Sequence, residues 1–188
     1  MNRNSSTSEL DDRVAIITGG GSGIGAATAR LLAAKGLGVA IVGRTAAKLD
    51  HVVAGIESDG GRAWAVQADL ADVDAPKAIV DEVVDRAGRL DVVINNAAAI
   101  KVGPVQSYSV EDFDLHTATN LRAPFFLVSC ALPHLRRSPA AAVVNISSVI
   151  GSPLVKPGNT VYGLTKAAIE YFSRAAAHDP PPGQDSLL

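Results

Sequence analysis

Tyr162 and Lys166 stand four residues apart in Tyr162-Gly163-Leu164-Thr165-Lys166, a spacing that stacks a phenol and an ammonium on one helix face. A free tyrosine has a pKa of about 10 and exchanges protons poorly at neutral pH. A neighbouring ammonium favours the phenolate and draws that value toward useful acid–base work. The same spacing also occurs as a solvated surface pair, so the pair alone does not fix a chemistry. A second constellation lies near the start of the chain, where Thr18-Gly19-Gly20-Gly21-Ser22-Gly23-Ile24-Gly25 follows an apolar run. Glycines permit a tight turn and let backbone N–H groups approach a pyrophosphate at a helix N-terminus. A ligand-free glycine turn is the alternative; a place in the first strand–helix unit favours the anion cradle. G-x-G-x-x-G cannot be laid on these residues, whereas T-G-x-x-x-G-x-G fits through Thr18, Gly19, Gly23 and Gly25.

The next informative position lies beyond the second apolar run. An acidic residue roughly 20 positions past such a glycine loop accepts the ribose hydroxyls of NAD. Here Val42-Gly43-Arg44-Thr45 lacks the acid and sets Arg44 beside its place. A guanidinium matches a 2′-phosphate with two parallel hydrogen bonds, so NADP(H) is expected over NAD(H). The alternative is that Arg44 is a solvated loop residue.

These residues need a scaffold, and the patterning supplies one. Short apolar runs at Val14–Ile17, Val39–Val42, Ala63–Val66, Val92–Ile94 and Ala142–Ile146 alternate with helical segments. The segments lie near Gly25–Lys35, Ala46–Ser58, Ala75–Ala87, Val110–Arg136 and Thr160–Ala177, and Pro124 should kink or break the fourth. Continuous apolar strands suit a sheet covered on both faces. The expected fold is α/β, a doubly wound, Rossmann-like parallel sheet of order 3-2-1-4-5. Ligands in such folds bind beyond the C-terminal strand ends, where Asn145-Ile146-Ser147-Ser148 closes the fifth strand.

In chain order these residues resemble the compact branch of the short-chain dehydrogenase/reductase family, marked by T-G-x-x-x-G-x-G and Y-x-x-x-K, over roughly residues 12 to 176. The resemblance implies hydride transfer between a nicotinamide and a carbonyl or alcohol carbon. It implies that Tyr162 donates the proton, Ser148 polarises the carbonyl, and Lys166 supports Tyr162 and grips the nicotinamide ribose. Ser147 would be a turn residue. Asn120, in Thr119-Asn120-Leu121, resembles the family's helix asparagine, which supports a water-linked proton relay to the lysine. For the cofactor it implies Thr18, Gly19, Gly23, Ile24 and Gly25, with Asp69 and Leu70 at the adenine. Asp69 read alone fits a helix N-cap or turn equally well. Asn95-Asn96-Ala97-Ala98 resembles N-N-A-G, with Asn95 and Asn96 lining the cofactor cleft. Ala98 replaces the glycine, and a positive φ there would make its methyl unwelcome.

Family members continue past the tyrosine helix into a sixth strand, a substrate lid, another helix and a seventh strand. The resemblance therefore implies a C-terminally shortened chain whose fifth strand has an unpaired edge. Two functions follow: an NADP(H)-dependent carbonyl/alcohol oxidoreductase, or a catalytically silent fragment that binds dinucleotide or acts only through its surface. Pairing of the helices at Val110–Arg136 and Thr160–Ala177 would give homo-oligomers.

Composition sets the outer bounds. The 188 residues are 47% hydrophobic and 19% charged with a net charge of -2, ordinary for one globular domain and without attraction for nucleic acid or anionic membranes. Residues 13–177 form the expected domain, with disordered tails at 1–12 and 178–188. The lone Cys130 excludes an internal disulfide and suits a reducing compartment. His51, His116, His134 and His178 are scattered, so they are expected on the surface or in packing, and no metal site is expected. Met1–Asp12 has no apolar leader, and no run reaches the roughly 18 residues of a membrane span. Cytoplasm is the expected location.

Overall fold

A computed structural model describes residues 12–178. The tails expected at 1–12 and 178–188 lie outside the described residues, apart from Asp12 in a turn and His178, which still belongs to a helix. The elements run β1 (Val14–Thr18), α1 (Gly23–Ala34), β2 (Gly38–Gly43), α2 (Ala46–Ser58), β3 (Arg62–Gln67), α3 (Ala75–Ala87), β4 (Val92–Asn95), α4 (Val110–Thr117), α5 (Ala123–Leu135), β5 (Ala142–Asn145) and α6 (Thr160–His178). The sheet has five strands in the order β3-β2-β1-β4-β5, and every pairing is parallel.

Successive strand residues face opposite sides of a pleated sheet, and the core divides accordingly. Ile16, Val93, Leu127 and Val83 pack on one face, and Ile17, Ile41, Leu49 and Ile56 on the other. Each such fully buried side chain contributes about 1.5–3 kcal/mol of apolar burial. β1 is buried along its whole length, as expected of a central strand. β5 is the open edge: Val143 and Val144 remain 39% and 43% exposed.

The helical stretch expected over Val110–Arg136 is split. α4 opens with a capping box between Ser109 and Asp112, then a wide π-type turn spans Ala118–Arg122 before α5 begins. Pro124 has no N–H to continue the ladder, and the Ala123 N–H reaches back five residues to the Ala118 carbonyl. Such single wide turns recur at functional sites, and Asn120 lies inside this one. Two boundaries also move: α1 starts at Gly23 rather than Gly25, and β5 ends at Asn145, although the Ile146 N–H still bonds the Asn95 carbonyl at 2.9 Å. No helix among the described residues is long and apolar enough to cross a membrane.

Candidate functional site

Because all five strands are parallel, their C-terminal ends share one edge of the sheet. The strand order lays the candidate residues out in a row: Asp69 and Leu70 beyond β3, Arg44 beyond β2, the glycine loop beyond β1, Asn96 to Ile100 beyond β4, and Ser148 beyond β5. A cleft of about 690 Å³ runs along the first four of these positions and is lined by Arg44, Asp69, Leu70, Gly23, Asn96 and Ile100 among others.

The glycine loop is held by β4. The Thr18 hydroxyl accepts the N–H groups of Asn96 and Ala97 at 2.9 and 3.1 Å, and points its own proton at the Ile94 carbonyl. The Asn96 side chain donates to the Thr18 carbonyl at 2.9 Å. Three glycines of the loop are required by packing: a Cβ on Gly25 would lie 2.3 Å from the Gly19 oxygen, one on Gly20 2.6 Å from the Ile41 Cβ, and one on Gly19 2.8 Å from Asn96 Nδ2. Gly23 has φ +52 and nothing within 4 Å of its would-be Cβ, so its surface is open to the cleft. At the start of α1, Ser22 makes no side-chain cap and the first turn carries no acid. The free N–H groups and helix dipole there favour an anion. A pyrophosphate fits this cradle.

At the far end, Arg44 is exposed and lines the cleft, and its carbonyl accepts from Gln67 Nε2 at 3.0 Å. Its guanidinium makes no ion pair or hydrogen bond among the described residues, which leaves it free for a phosphate. Lys48, in the first turn of α2, lines the same end with its Cβ 3.2 Å from the position of a Cβ on Gly21. Lys48 belongs to no motif that the sequence offers, and only the turn between β2 and α2 brings it to the Arg44 side of the cleft. Asp69 lines the cleft while its carboxylate accepts the Ala71 N–H at 2.9 Å. It closes a turn and caps no helix, because α3 begins at Ala75 behind Asp74. Leu70 is buried in the core beside it.

Asn95 behaves differently from Asn96. It is buried opposite Asn145 in the β4–β5 register, donates to Asn145 Oδ1 at 2.8 Å, and is not among the residues lining the cleft. Asn145 passes the link to Ser173 of α6 at 2.8 Å. Ala98 has no positive φ, since Asp12 is the one non-glycine residue with such a backbone among those described. The extra methyl causes no strain there.

β5 and α6 carry the remaining residues and are stitched together. Lys166 is 4% exposed and donates to the Ile146 carbonyl at 2.6 Å. Burial pushes its ammonium below the usual lysine range. Its Nζ lies 5.6 Å from the Tyr162 ring centre. The half-buried Tyr162 hydroxyl has no hydrogen-bond partner among the described residues. The Ser148 hydroxyl accepts the Ile150 N–H at 3.1 Å and keeps its own proton to donate. Ser147, expected in a turn, instead donates to Glu170 at 2.7 Å. The Ser147 and Ser152 hydroxyls hold the Glu170 carboxyl below its usual range.

Asn120 is 2% exposed. Its amide bonds both polar groups of Ala99, accepting the N–H at 2.7 Å and donating to the carbonyl at 2.9 Å. It also donates to Thr165 at 3.1 Å, and Thr165 in turn donates to the Tyr162 carbonyl at 2.8 Å. Asn120 thus meets the Tyr162 helix through Thr165, not through Lys166, and Thr165 carried no signal in the sequence beyond its place between them. The arrangement offers an anion cradle, two free cations, a serine hydroxyl beyond β5, and a phenol whose ring centre lies 5.6 Å from a buried ammonium.

Known proteins share this build. A hydroxynaphthalene reductase of Aspergillus fumigatus is 40% identical over 171 residues, which cover 90% of this chain and 62% of that protein. A 3-oxoacyl-[acyl-carrier-protein] reductase of Staphylococcus aureus is 34% identical over 88% of this chain and 67% of its own length. Among solved structures, a short chain dehydrogenase of Burkholderia cenocepacia in complex with NADP superposes with a TM-score of 0.85 at 36% identity, covering 89% of this chain and 68% of that one. The chain thus spans less than two thirds of the Aspergillus relative's length. The sheet order, the loop geometry and these likenesses agree with a model of the short chain dehydrogenase family that matches residues 13–183, and the chain belongs to that family.

Proposed function

We propose that this chain acts as an NADP(H)-dependent oxidoreductase interconverting a carbonyl and an alcohol. The observation that carries the reading is the single row of groups along the sheet's carboxyl edge, from the unpaired Arg44 through the glycine cradle to Ser148 and Tyr162. The glycine loop and the α1 N-terminus would hold the pyrophosphate, with Arg44 and Lys48 at a 2′-phosphate. Thr18, Gly19, Gly25 and Asn96 shape the cradle, Ile24 and Asp69 border it, and Asn95 supports it from below. Bound there, the nicotinamide supplies or accepts a hydride at the substrate carbon.

The protein's own part is proton handling and positioning. Ser148 directs its free hydroxyl proton at the substrate oxygen. Tyr162 gives that oxygen a proton in reduction and takes it back in oxidation. Lys166, fixed by the Ile146 carbonyl, holds positive charge beneath the phenol and has further N–H groups for a ribose. Asn120 fixes the cleft wall against α6 through Thr165. Exposed Phe113, Phe125 and Tyr171 on α4, α5 and α6 suit pairing with a second copy, and the cytoplasm suits the cofactor and the free thiol.

Titration of the purified chain with NADPH and NADH tests this reading. Tighter NADPH binding by about tenfold or more is expected, as for a charge-assisted contact to a phosphate, with the difference shrinking in Arg44→Ala. Equal or tighter NADH binding would refute it. Turnover on a carbonyl panel is the second arm, and binding without turnover would favour a dinucleotide-binding chain that does not catalyse.

A further inference from the structure

His116 is 1% exposed in α4, one turn before Asn120. Its Nε2 faces the Lys101 N–H at 2.9 Å, and its Nδ1 faces the Asp112 carbonyl at 2.6 Å. A backbone N–H can only donate and a carbonyl can only accept, so both contacts are satisfied by one form of the ring: neutral, with its proton on Nδ1. The loop beyond β4 is therefore gripped at successive points. Asn120 bonds the N–H and carbonyl of Ala99, and His116 bonds the N–H of Lys101. The Tyr108 hydroxyl, whose ring meets His116 edge-on at 6.1 Å, reaches the Lys101 carbonyl at 2.7 Å. Between the two grips Ile100 is 60% exposed and lines the cleft on the side away from Arg44.

We infer that His116 is a positioning residue that, with Asn120, latches the 99–101 loop so that Ile100 forms the cleft wall against the part of a dinucleotide beyond the glycine loop. The inference rests on reading the cleft as a dinucleotide site. Any buried imidazole must satisfy its ring nitrogens; here one is met within α4 by the Asp112 carbonyl, and the other is spent on the loop that carries Ile100. Removing the acceptor strands the part-buried Lys101 N–H, and the loop moves to bring that donor to water.

The test compares the full chain with His116→Leu and His116→Gln, since a glutamine amide can both accept and donate. Amide hydrogen exchange at Lys101 should quicken at least about tenfold in His116→Leu, and His116→Gln should recover part of the protection. The Kd for NADPH should rise about tenfold in His116→Leu. Binding of adenosine 2′,5′-bisphosphate, which reaches only the Arg44 side, should stay within about twofold of the parent chain. Unchanged exchange at Lys101, or equal weakening of both ligands, would overturn the latch. If the parent chain binds neither ligand, the dinucleotide reading fails instead, and the exchange comparison still decides whether His116 holds the loop.

Discussion

Gly23 and Gly25 sit two residues apart at the opening of α1, yet a methyl group would be refused at each for a different reason. Gly23 has a left-handed backbone with open space around the missing Cβ, so Gly23→Ala should cost only the conformational term, about 1 kcal/mol. At Gly25 the methyl meets the Gly19 oxygen at 2.3 Å and Asn96 Nδ2 at 2.6 Å, both fixed by the Thr18–Asn96 network. Gly25→Ala should therefore lose about 2–3 kcal/mol of stability, as overpacking does, and weaken NADPH binding at least about tenfold. Denaturant midpoints and cofactor titration on the two variants check this, and equal effects would contradict the packing account. Tyr162 is the complementary case, because its hydroxyl has no hydrogen-bond partner among the described residues. Tyr162→Phe should leave stability and NADPH affinity within about twofold while cutting turnover at least about 100-fold, the usual worth of a positioned proton donor. Retained turnover would remove Tyr162 from the mechanism.

At the scale of elements, the strands were the most legible part. An apolar run such as Val14–Ile17 between turn residues has few places to go except a buried parallel strand, and all five runs became strands in the expected order. The glycine loop was readable because its demand is local: positive φ, close approach, and a helix directly after. The fourth helical segment was readable only in part. Pro124 announced a break, but the five-residue reach from Ala123 to Ala118 depends on α4 lying against α6 while α5 lies against α3. Periodicity in one segment carries no record of that. The same limit separates Asn95 from Asn96. The two are adjacent and chemically identical, and strand alternation turns one toward Asn145 beneath the cleft and the other toward the glycine loop. His116 was expected only on the surface or in packing, and Thr165 carried no signal, because Lys101 and Asn120, which they bond, lie 15 and 45 residues away and a single histidine or threonine carries no spacing to interpret.

At the scale of the whole molecule, the sheet is pinned at both ends of its strands, and the end opposite the cleft depends on one carboxylate. Asp91, just ahead of β4, is 1% exposed. It accepts the Val14 N–H at the start of β1 at 2.8 Å, the Ser138 hydroxyl ahead of β5 at 2.6 Å, and two N–H groups of Arg89 at 2.7 and 2.8 Å. Three neighbouring strands therefore take their starting positions from one side chain. Burial by itself would raise the Asp91 pKa, but the bonds from Arg89, Ser138 and the Val14 N–H outweigh it and hold the carboxyl below its usual range. With the folded value below the unfolded value of about 3.9, the unfolded chain binds the proton more readily. The carboxylate's contribution is thus fully present above that pH and is lost as pH falls through the folded value. Asp91→Asn keeps the shape and removes the charge, leaving Arg89, 39% exposed, to be partly solvated. The variant should be about 2–3 kcal/mol less stable than the parent at neutral pH, somewhat under the cost of breaking a fully buried pair. That gap should narrow steadily below about pH 4, where the unfolded parent chain takes up the proton that folded Asp91 still refuses. NADPH affinity at neutral pH should stay within about twofold, because the cleft lies at the other end of the strands. Urea midpoints across that pH range decide the matter: a gap that persisted undiminished in acid would mean that shape, not charge, holds the strands at Asp91.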